Sequence, residues 1–210
     1  MIRLFFKSIF IMSLSVLVAQ AAELQPGRDY NILKTPQATE TGNKIEVIEF
    51  FYYGCPHCYD LEPTLNAWVS RLPVDVAFRR IPAIFRGDWT PAARAFYTFD
   101  AMKLLDRFHK PFFDAIQKEG LTPDEANIIS WAAQNGIDQN KFKETYNSFA
   151  VQTKTVRAKQ LIKAYEIDGV PSIVVDGRYV TSNSMAGSEG LIPIVEQIVA
   201  KARQQRQAKK

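Results

Sequence analysis

Cys55 and Cys58 are the only cysteines among the 210 residues, and only Pro56 and His57 separate them. Two thiols at this spacing, where a β-branched and aromatic run gives way to helix-forming sequence, read as a redox pair. The run before them, Ile45 to Gly54, has the composition of a buried strand; Tyr59 to Val69 has that of a helix. In the first turn of such a helix the backbone N–H groups lack intrahelical partners and point towards its start. A sulfur placed there collects those donors and sits at the positive end of the helix dipole. Cys55 is therefore the expected thiolate and attacking group. Cys58, one turn on, lies on the same face, within disulfide reach but deeper, and is the expected resolving thiol. Pro56 suits a first helical turn, where a missing N–H leaves nothing unpaired.

The dipole contributes at most about 2 kcal/mol, roughly 1.5 pKa units. A stronger hold on a thiolate needs charge-assisted hydrogen bonds of about 1.5–3 kcal/mol each. The backbone donors, the Cys58 thiol and His57 are the candidates. An imidazole that stabilises the Cys55 thiolate favours the reduced form and makes the disulfide a better oxidant. Two plainer roles fit less well. A structural disulfide across so short a loop constrains the unfolded chain little. A metal site needs about four ligands; the chain has two cysteines and two histidines, and His109 is far from the pair in sequence.

Two carboxylates interrupt the strand. Glu46 reads as an outward-facing residue. Glu49 has two readings: outward-facing as well, or a buried carboxyl of raised pKa that carries protons to and from Cys58.

The N-terminus reads as an address. Arg3 and Lys7 precede the apolar run Ile9 to Val18, too short for a comfortable membrane span, and Ala19-Gln20-Ala21 has the small-x-small form of a cleavage site. A signal peptide over 1–21 places the mature chain, from Ala22, in an oxidising compartment, and the short alanine-ended signal points to the bacterial periplasm. The rival reading is an uncleaved anchor. The formal charge of +4 belongs to the ends: setting aside Arg3, Lys7 and the five cations from Lys201 to Lys210 leaves 19 basic against 22 acidic residues. The overall charge thus gives no support to nucleic-acid binding.

The rest of the chain must position the cysteines. Glu23 to Arg28 reads as a loose leader, Tyr30 to Leu33 as a short edge strand, and 34–43 as loop. Pro63 should kink the helix after Cys58. Val74 to Phe78 alternates as a strand. From Pro82 to Lys159 strand signals vanish, and apolar faces recur at helical spacing: Ala92, Ala95, Phe96, Phe99, Met102; then Leu105, Phe108, Phe112, Phe113, Ile116; then Ile128, Ile129, Trp131, Ala132; then Phe142, Tyr146, Phe149, Val156. Those aromatics read as the core of a helical insert, and His109 as a residue on a solvated helix face. Strand signals return at Gly169 to Val175, Asp176-Gly177 marks a hairpin, and Arg178 to Val180 returns. Pro171 at the head of a central-looking strand makes Val170-Pro171 a candidate cis peptide that leaves the Val170 backbone free to pair with an extended peptide. Leu191, Ile194, Val195 and Ile198 outline a closing helix. The pattern is βαβ, helical block, ββα: an α/β domain from 22–81 and 160–202, an insert at 82–159, and a basic tail at 203–210.

The Cys55-Pro56-His57-Cys58 centre after Glu49-Phe50-Phe51, the helical insert, and Gly169-Val170-Pro171 before a hairpin together resemble the DsbA family of periplasmic thiol:disulfide oxidoreductases, which have a thioredoxin-like fold. The likeness covers essentially the whole mature chain, and the low thiol pKa and oxidising character of that family are known. It implies that Cys55 is the nucleophile, Cys58 its buried partner, His57 a stabiliser of the thiolate, and Val170-Pro171 the loop where client peptides dock. Glu49 matches the family's buried acid, and Glu62 another acidic position near the centre. A lysine that often pairs with the buried acid near the start of the next strand has no counterpart in Leu72-Pro73-Val74-Asp75. The implied function is donation of the Cys55–Cys58 disulfide to unfolded exported proteins, by a monomer with no bound cofactor. A membrane partner resembling DsbB, which passes electrons to quinone, reoxidises it. Competing functions are a disulfide reductase and a non-catalytic chaperone or binding module. An isomerase fits poorly, because too few residues precede the main strand for the N-terminal dimerisation domain of such enzymes.

Overall fold

The structure, a computed structural model, describes residues 23–187 and 190–208; the signal segment expected at 1–21 lies outside them. Strand β2, Ile45–Phe51, is the axis of the fold, and all seven of its residues are buried. It runs inside a mixed five-stranded sheet of order β1-β5-β4-β2-β3, where β1 is Asn31–Ile32, β3 Val76–Pro82, β4 Ser172–Val175 and β5 Tyr179–Ser182. β2 pairs parallel with β3 and antiparallel with β4, which forms a hairpin with β5; β1 lies on the edge beside β5. Two pieces of chain on either side of the helical block therefore share one sheet, as the βαβ and ββα patterns require.

Alternation along β2 sends its side chains into two cores. Ile45 and Val47 pack with Leu65 and Trp68 of helix α1 (Pro56–Val69) and with Ile194, Val195 and Ile198 of helix α8 (Leu191–Gln207). Ile48 and Phe50 join a larger core shared with the block formed by α2 (Thr90–Ala101), α3 (Leu105–Gln117), α4 (Glu125–Gln134), α5 (Gln139–Tyr146) and α6 (Phe149–Ala164). Its centre is aromatic: Phe99 meets Phe112 edge to face at 5.4 Å, and Phe112 meets Trp131 at 5.1 Å. A four-residue helix α7, Asn183–Ala186, follows β5.

The β4–β5 turn shows why its two residues are what they are. Asp176 and Gly177 both have positive φ, 56° and 61°, as a type I′ hairpin turn requires. A Cβ on Gly177 would also stand 2.1 Å from the Gln37 carbonyl oxygen, while the Gln37 N–H donates to the Gly177 carbonyl at 2.7 Å.

Several expectations are corrected. The strand after α1 starts at Val76 and runs on through Arg79, Arg80 and Ile81, because β2 offers a seven-residue parallel partner; Val74 is 89% exposed. Glu46 is fully buried, since the preceding loop folds over it: the Glu40 N–H donates to its carboxylate at 2.9 Å, and Arg79 lies 3.3 Å away. Phe149 and Val156 face solvent, and α6 buries Val151, Thr155, Ala158 and Ile162 instead. That helix continues unbroken past Lys159 to Ala164. The leader is a turn, in which the Gly27 N–H bonds to the Tyr30 carbonyl. The basic segment begins within α8, which runs to Gln207, and Arg203 on Asp75 (2.7 Å) and Arg206 on Asp176 (3.0 Å) tie that end of the helix to the sheet domain.

Candidate active site

β2 ends at Phe51, and the chain turns through Tyr52, Tyr53 and Gly54 into α1. Cys55 is the N-cap of that helix, in extended conformation (φ −93°, ψ 114°), and its sulfur accepts the Cys58 backbone N–H at 3.4 Å. Pro56 occupies the first helical turn. Cys55 is partly exposed and Cys58 is sealed, and both are free thiols, so the structure shows the dithiol. The Cys55 thiol is pulled down to about 6, foremost by a hydrogen bond from the Cys58 thiol; desolvation opposes this, and the Cys58 and His57 N–H groups and the His57 side chain assist. Burial, reinforced by the neighbouring Cys55, pushes the Cys58 thiol far up. The arrangement puts the negative charge on the outer sulfur.

Val170-Pro171 is a cis peptide, and the Val170 carbonyl oxygen lies 3.5 Å from the Cys55 sulfur. A cavity of about 420 Å³ opens beside this loop, bordered by His57, Val170, Pro171 and the polar run Ser182-Asn183-Ser184. On the block side, Tyr52 stacks on Trp89 at 3.8 Å with rings 3° apart, and Phe85 meets Trp89 edge to face. A Cβ on Gly54 would run into the Tyr52 ring, at 2.4 Å.

Below the cysteines lies a buried polar cluster. Glu49 is fully buried, and its Oε2 accepts from Arg80 Nε at 2.8 Å. The parallel register sets Arg80 opposite Glu49. Arg80 therefore supplies the cation that the sequence around Pro73 lacks. Its NH2 group also donates to Glu62 Oε1 at 3.0 Å and to Asn66 Oδ1 at 2.8 Å. Desolvation raises Glu49 to about 7 despite Arg80, with the Glu62 and Cys55 charges adding to the rise. Burial disfavours the Glu62 anion too, yet hydrogen bonds from His109 and Asn66 and the charge of Arg80 hold it below the usual range.

His109 is not on a solvated face. It is buried on α3, with Nε2 3.4 Å from Glu62 Oε1 and Nδ1 2.8 Å from the Tyr53 hydroxyl. Desolvation lowers its pKa, so it is neutral, and burial keeps Tyr53 protonated. The phenol then donates to Nδ1, and the ring carries its proton on Nε2, donated to Glu62. Sequence reasoning missed His109, Arg80, Tyr53 and Asn66. The first was legible: position 109 falls at the centre of the apolar face defined by Leu105, Phe108, Phe112, Phe113 and Ile116.

A partly exposed low-pKa thiol at a helix N-terminus, a sealed partner one turn on and a carbonyl beside a cis-proline define a dithiol–disulfide oxidoreductase on a thioredoxin-like fold. A profile of the DSBA-like thioredoxin domain matches residues 46–192. The chain is 42% identical to the thiol:disulfide interchange protein DsbA of Pseudomonas syringae pv. tomato, covering 91% of both chains, and 41% identical to that of Azotobacter vinelandii, covering 91% of this chain and 92% of the relative. The crystal structure of Pseudomonas aeruginosa DsbA superposes with a TM-score of 0.82 at 39% identity, over 88% of this chain and 96% of that one. DsbA from Xylella fastidiosa gives 0.78 at 29% identity, over 86% and 98%. The chain belongs to the DsbA family and is a thiol:disulfide oxidoreductase that acts as a protein disulfide oxidase.

Proposed function

We propose that Cys55–Cys58 is the disulfide this protein gives away, in the periplasm, after removal of residues 1–21. A client thiolate attacks the Cys55 sulfur and breaks the bond to Cys58, forming a mixed disulfide. Cys58 leaves as a thiolate in a site that disfavours its charge, and Glu49 supplies the proton. A second client thiolate then attacks the client's own sulfur in the mixed disulfide and releases Cys55. The client has lost two electrons and the protein has gained them. Cys55 departs easily because its thiolate is stabilised by the N-cap donors and by His57. Val170 and Pro171 hold the client segment alongside, the Val170 backbone pairing with an extended peptide. Clients are unfolded exported proteins with free thiols. The reoxidant is a membrane protein resembling DsbB that hands the electrons to quinone. The protein works as a monomer without a bound cofactor.

The observation that carries this reading is the asymmetry of the pair, with Cys55 lowered to about 6 and Cys58 pushed far up. The test is the redox equilibrium of the purified protein in glutathione buffers, read by alkylation and mass. The expected outcome is a pair that stays reduced until the buffer is strongly oxidising, and a Cys55→Ser variant with no exchange activity. A pair that forms its disulfide in reducing buffer overturns the donor reading and leaves a reductase or a structural bond.

A further inference from the structure

Two buried carboxyls, Glu49 and Glu62, share a single guanidinium. Arg80 reaches Glu49 through Nε at 2.8 Å and Glu62 through its NH2 group at 3.0 Å. One cation leaves the ionised pair with an unbalanced negative charge on two buried carboxyls, beside a sulfur that is itself anionic when reduced. The pair is therefore expected to hold one proton near neutral pH. Which carboxyl carries it depends on the donors around each. Glu62 has three: Arg80, Asn66 Nδ2 at 2.9 Å and His109 Nε2 at 3.4 Å. Among the described residues Glu49 has Arg80 alone, and its Oε1 is buried without a hydrogen-bond partner. The charged and titratable groups facing the pair are Cys55 and Cys58 from the start of α1, Arg80 from β3, the neutral phenol of Tyr53 after β2, and His109 from α3, kept neutral by burial.

We propose that His109, clamped by the Tyr53 hydroxyl, is a positioning residue that fixes the negative charge on Glu62 and so places the shared proton on Glu49, the carboxyl nearer the cysteines. The helical block thereby takes part in the redox chemistry through α3, which carries His109. A second tie holds the same elements together, since Gln117 of α3 donates to the Tyr53 carbonyl at 2.7 Å. The consequence for the reaction rests on the reading that Glu49 exchanges a proton with Cys58; the location of the proton does not.

The test is a carboxyl NMR titration of the oxidised, [¹³C]glutamate-labelled protein, with Glu49→Gln and Glu62→Gln assigning the two signals. In the unaltered chain Glu49 is expected to titrate near neutral pH and Glu62 well below. His109→Phe keeps an aromatic ring against Phe51, Phe96 and Phe113, which the imidazole meets edge to face, but removes the donor. The hydrogen bond is long, so the expected change is about one pH unit: Glu49 falls and Glu62 rises. His109→Gln, whose amide can donate from the Nε2 position, is expected to restore most of the separation. Tyr53→Phe, which removes the hydroxyl that fixes the imidazole through Nδ1, is expected to move both signals in the same sense as His109→Phe and decides the matter if that variant does not fold. The proposal is overturned if His109→Phe, or Tyr53→Phe in its place, leaves both signals unmoved, or if Glu62 is the carboxyl that titrates near neutral pH. The pH profile of disulfide transfer in Glu49→Gln tests the proton-exchange reading separately. An unchanged profile sinks that reading and leaves the proton placement to the NMR result.

Discussion

Cys55 and Glu49 are displaced in opposite directions, and each displacement is a statement about stability. A thiol held at about 6 in the folded reduced chain, against an ordinary value near 9, binds fewer protons folded than unfolded between those limits. Its contribution is present above the unfolded value and is lost as pH falls through about 6. The disulfide form has no such contribution. The reduced protein is therefore expected to melt above the oxidised one at pH 8, and the gap to narrow progressively towards pH 5, as thermal melts of both forms will show. Glu49 runs the other way. Raised to about 7 from 4.5, it binds more protons folded than unfolded, so its contribution is full below the unfolded value and is lost as pH rises through the folded one. The loss amounts to about 3 kcal/mol. In the oxidised form, where burial still raises Glu49 but the Cys55 charge no longer adds to the rise, Glu49→Gln is expected to lessen the fall in stability between pH 5 and 8 and to exceed the unaltered chain at the upper end, measured by urea unfolding. The cysteine pair was plain in the sequence because its chemistry needs only four consecutive residues. The cluster beneath it was not, because Arg80 meets Glu49 through strand register and His109 meets Glu62 through helix docking, and neither is written in local spacing alone.

At the scale of elements, the site depends on two junctions, the β2–α1 turn that carries Cys55 and the segment before β4 that carries Val170-Pro171. The second is held in place by the hairpin behind it, and there one residue has no substitute. Gly177→Ala puts a side chain on a left-handed backbone and into the Gln37 carbonyl. The expected loss is about 2 kcal/mol or more, a fall in Tm of roughly 4–8 °C. Calorimetry of the variant checks it; an unchanged Tm means the loop around Gln37 yields freely. The Asp-Gly turn was legible because only such residues suit a type I′ turn. The start of β3 was not. Alternation at Val74 to Phe78 looks the same whichever residues pair, and β2 settles the register by matching Ile45 to Val76 and Phe51 to Pro82. Phe149 shows the same limit in a helix: its spacing suits an inner face, but the side of α6 that packs is the one bearing Val151 and Ala158.

For the whole molecule, the sheet cannot be completed by either half of the chain. β2 takes β3 on one side from the following forty residues, but on its other side it waits for β4, which arrives only after all five helices of the block. A chain ending after Ala164 leaves the backbone of a seven-residue apolar strand bare along one edge, and α8 missing from one face. Such a truncated protein is expected to aggregate rather than fold, as light scattering and circular dichroism will show; a soluble product with native helix content counts against this account. The alternation of strand and helix signals made this interleaving readable from sequence, because one sheet was the only way for two β-rich pieces to bury their faces.

The same order has a consequence during synthesis. Cys55 and Cys58 are made more than a hundred residues before Val170 and Pro171. In that interval the two thiols have no sheet beneath them and no loop beside them. A chain emerging from its N-terminus thus spends part of its life as an unfolded polypeptide with a bare dithiol, chemically the same kind of substrate it is built to oxidise. Until the chain is complete, the pair that is to carry out thiol–disulfide exchange is itself open to it.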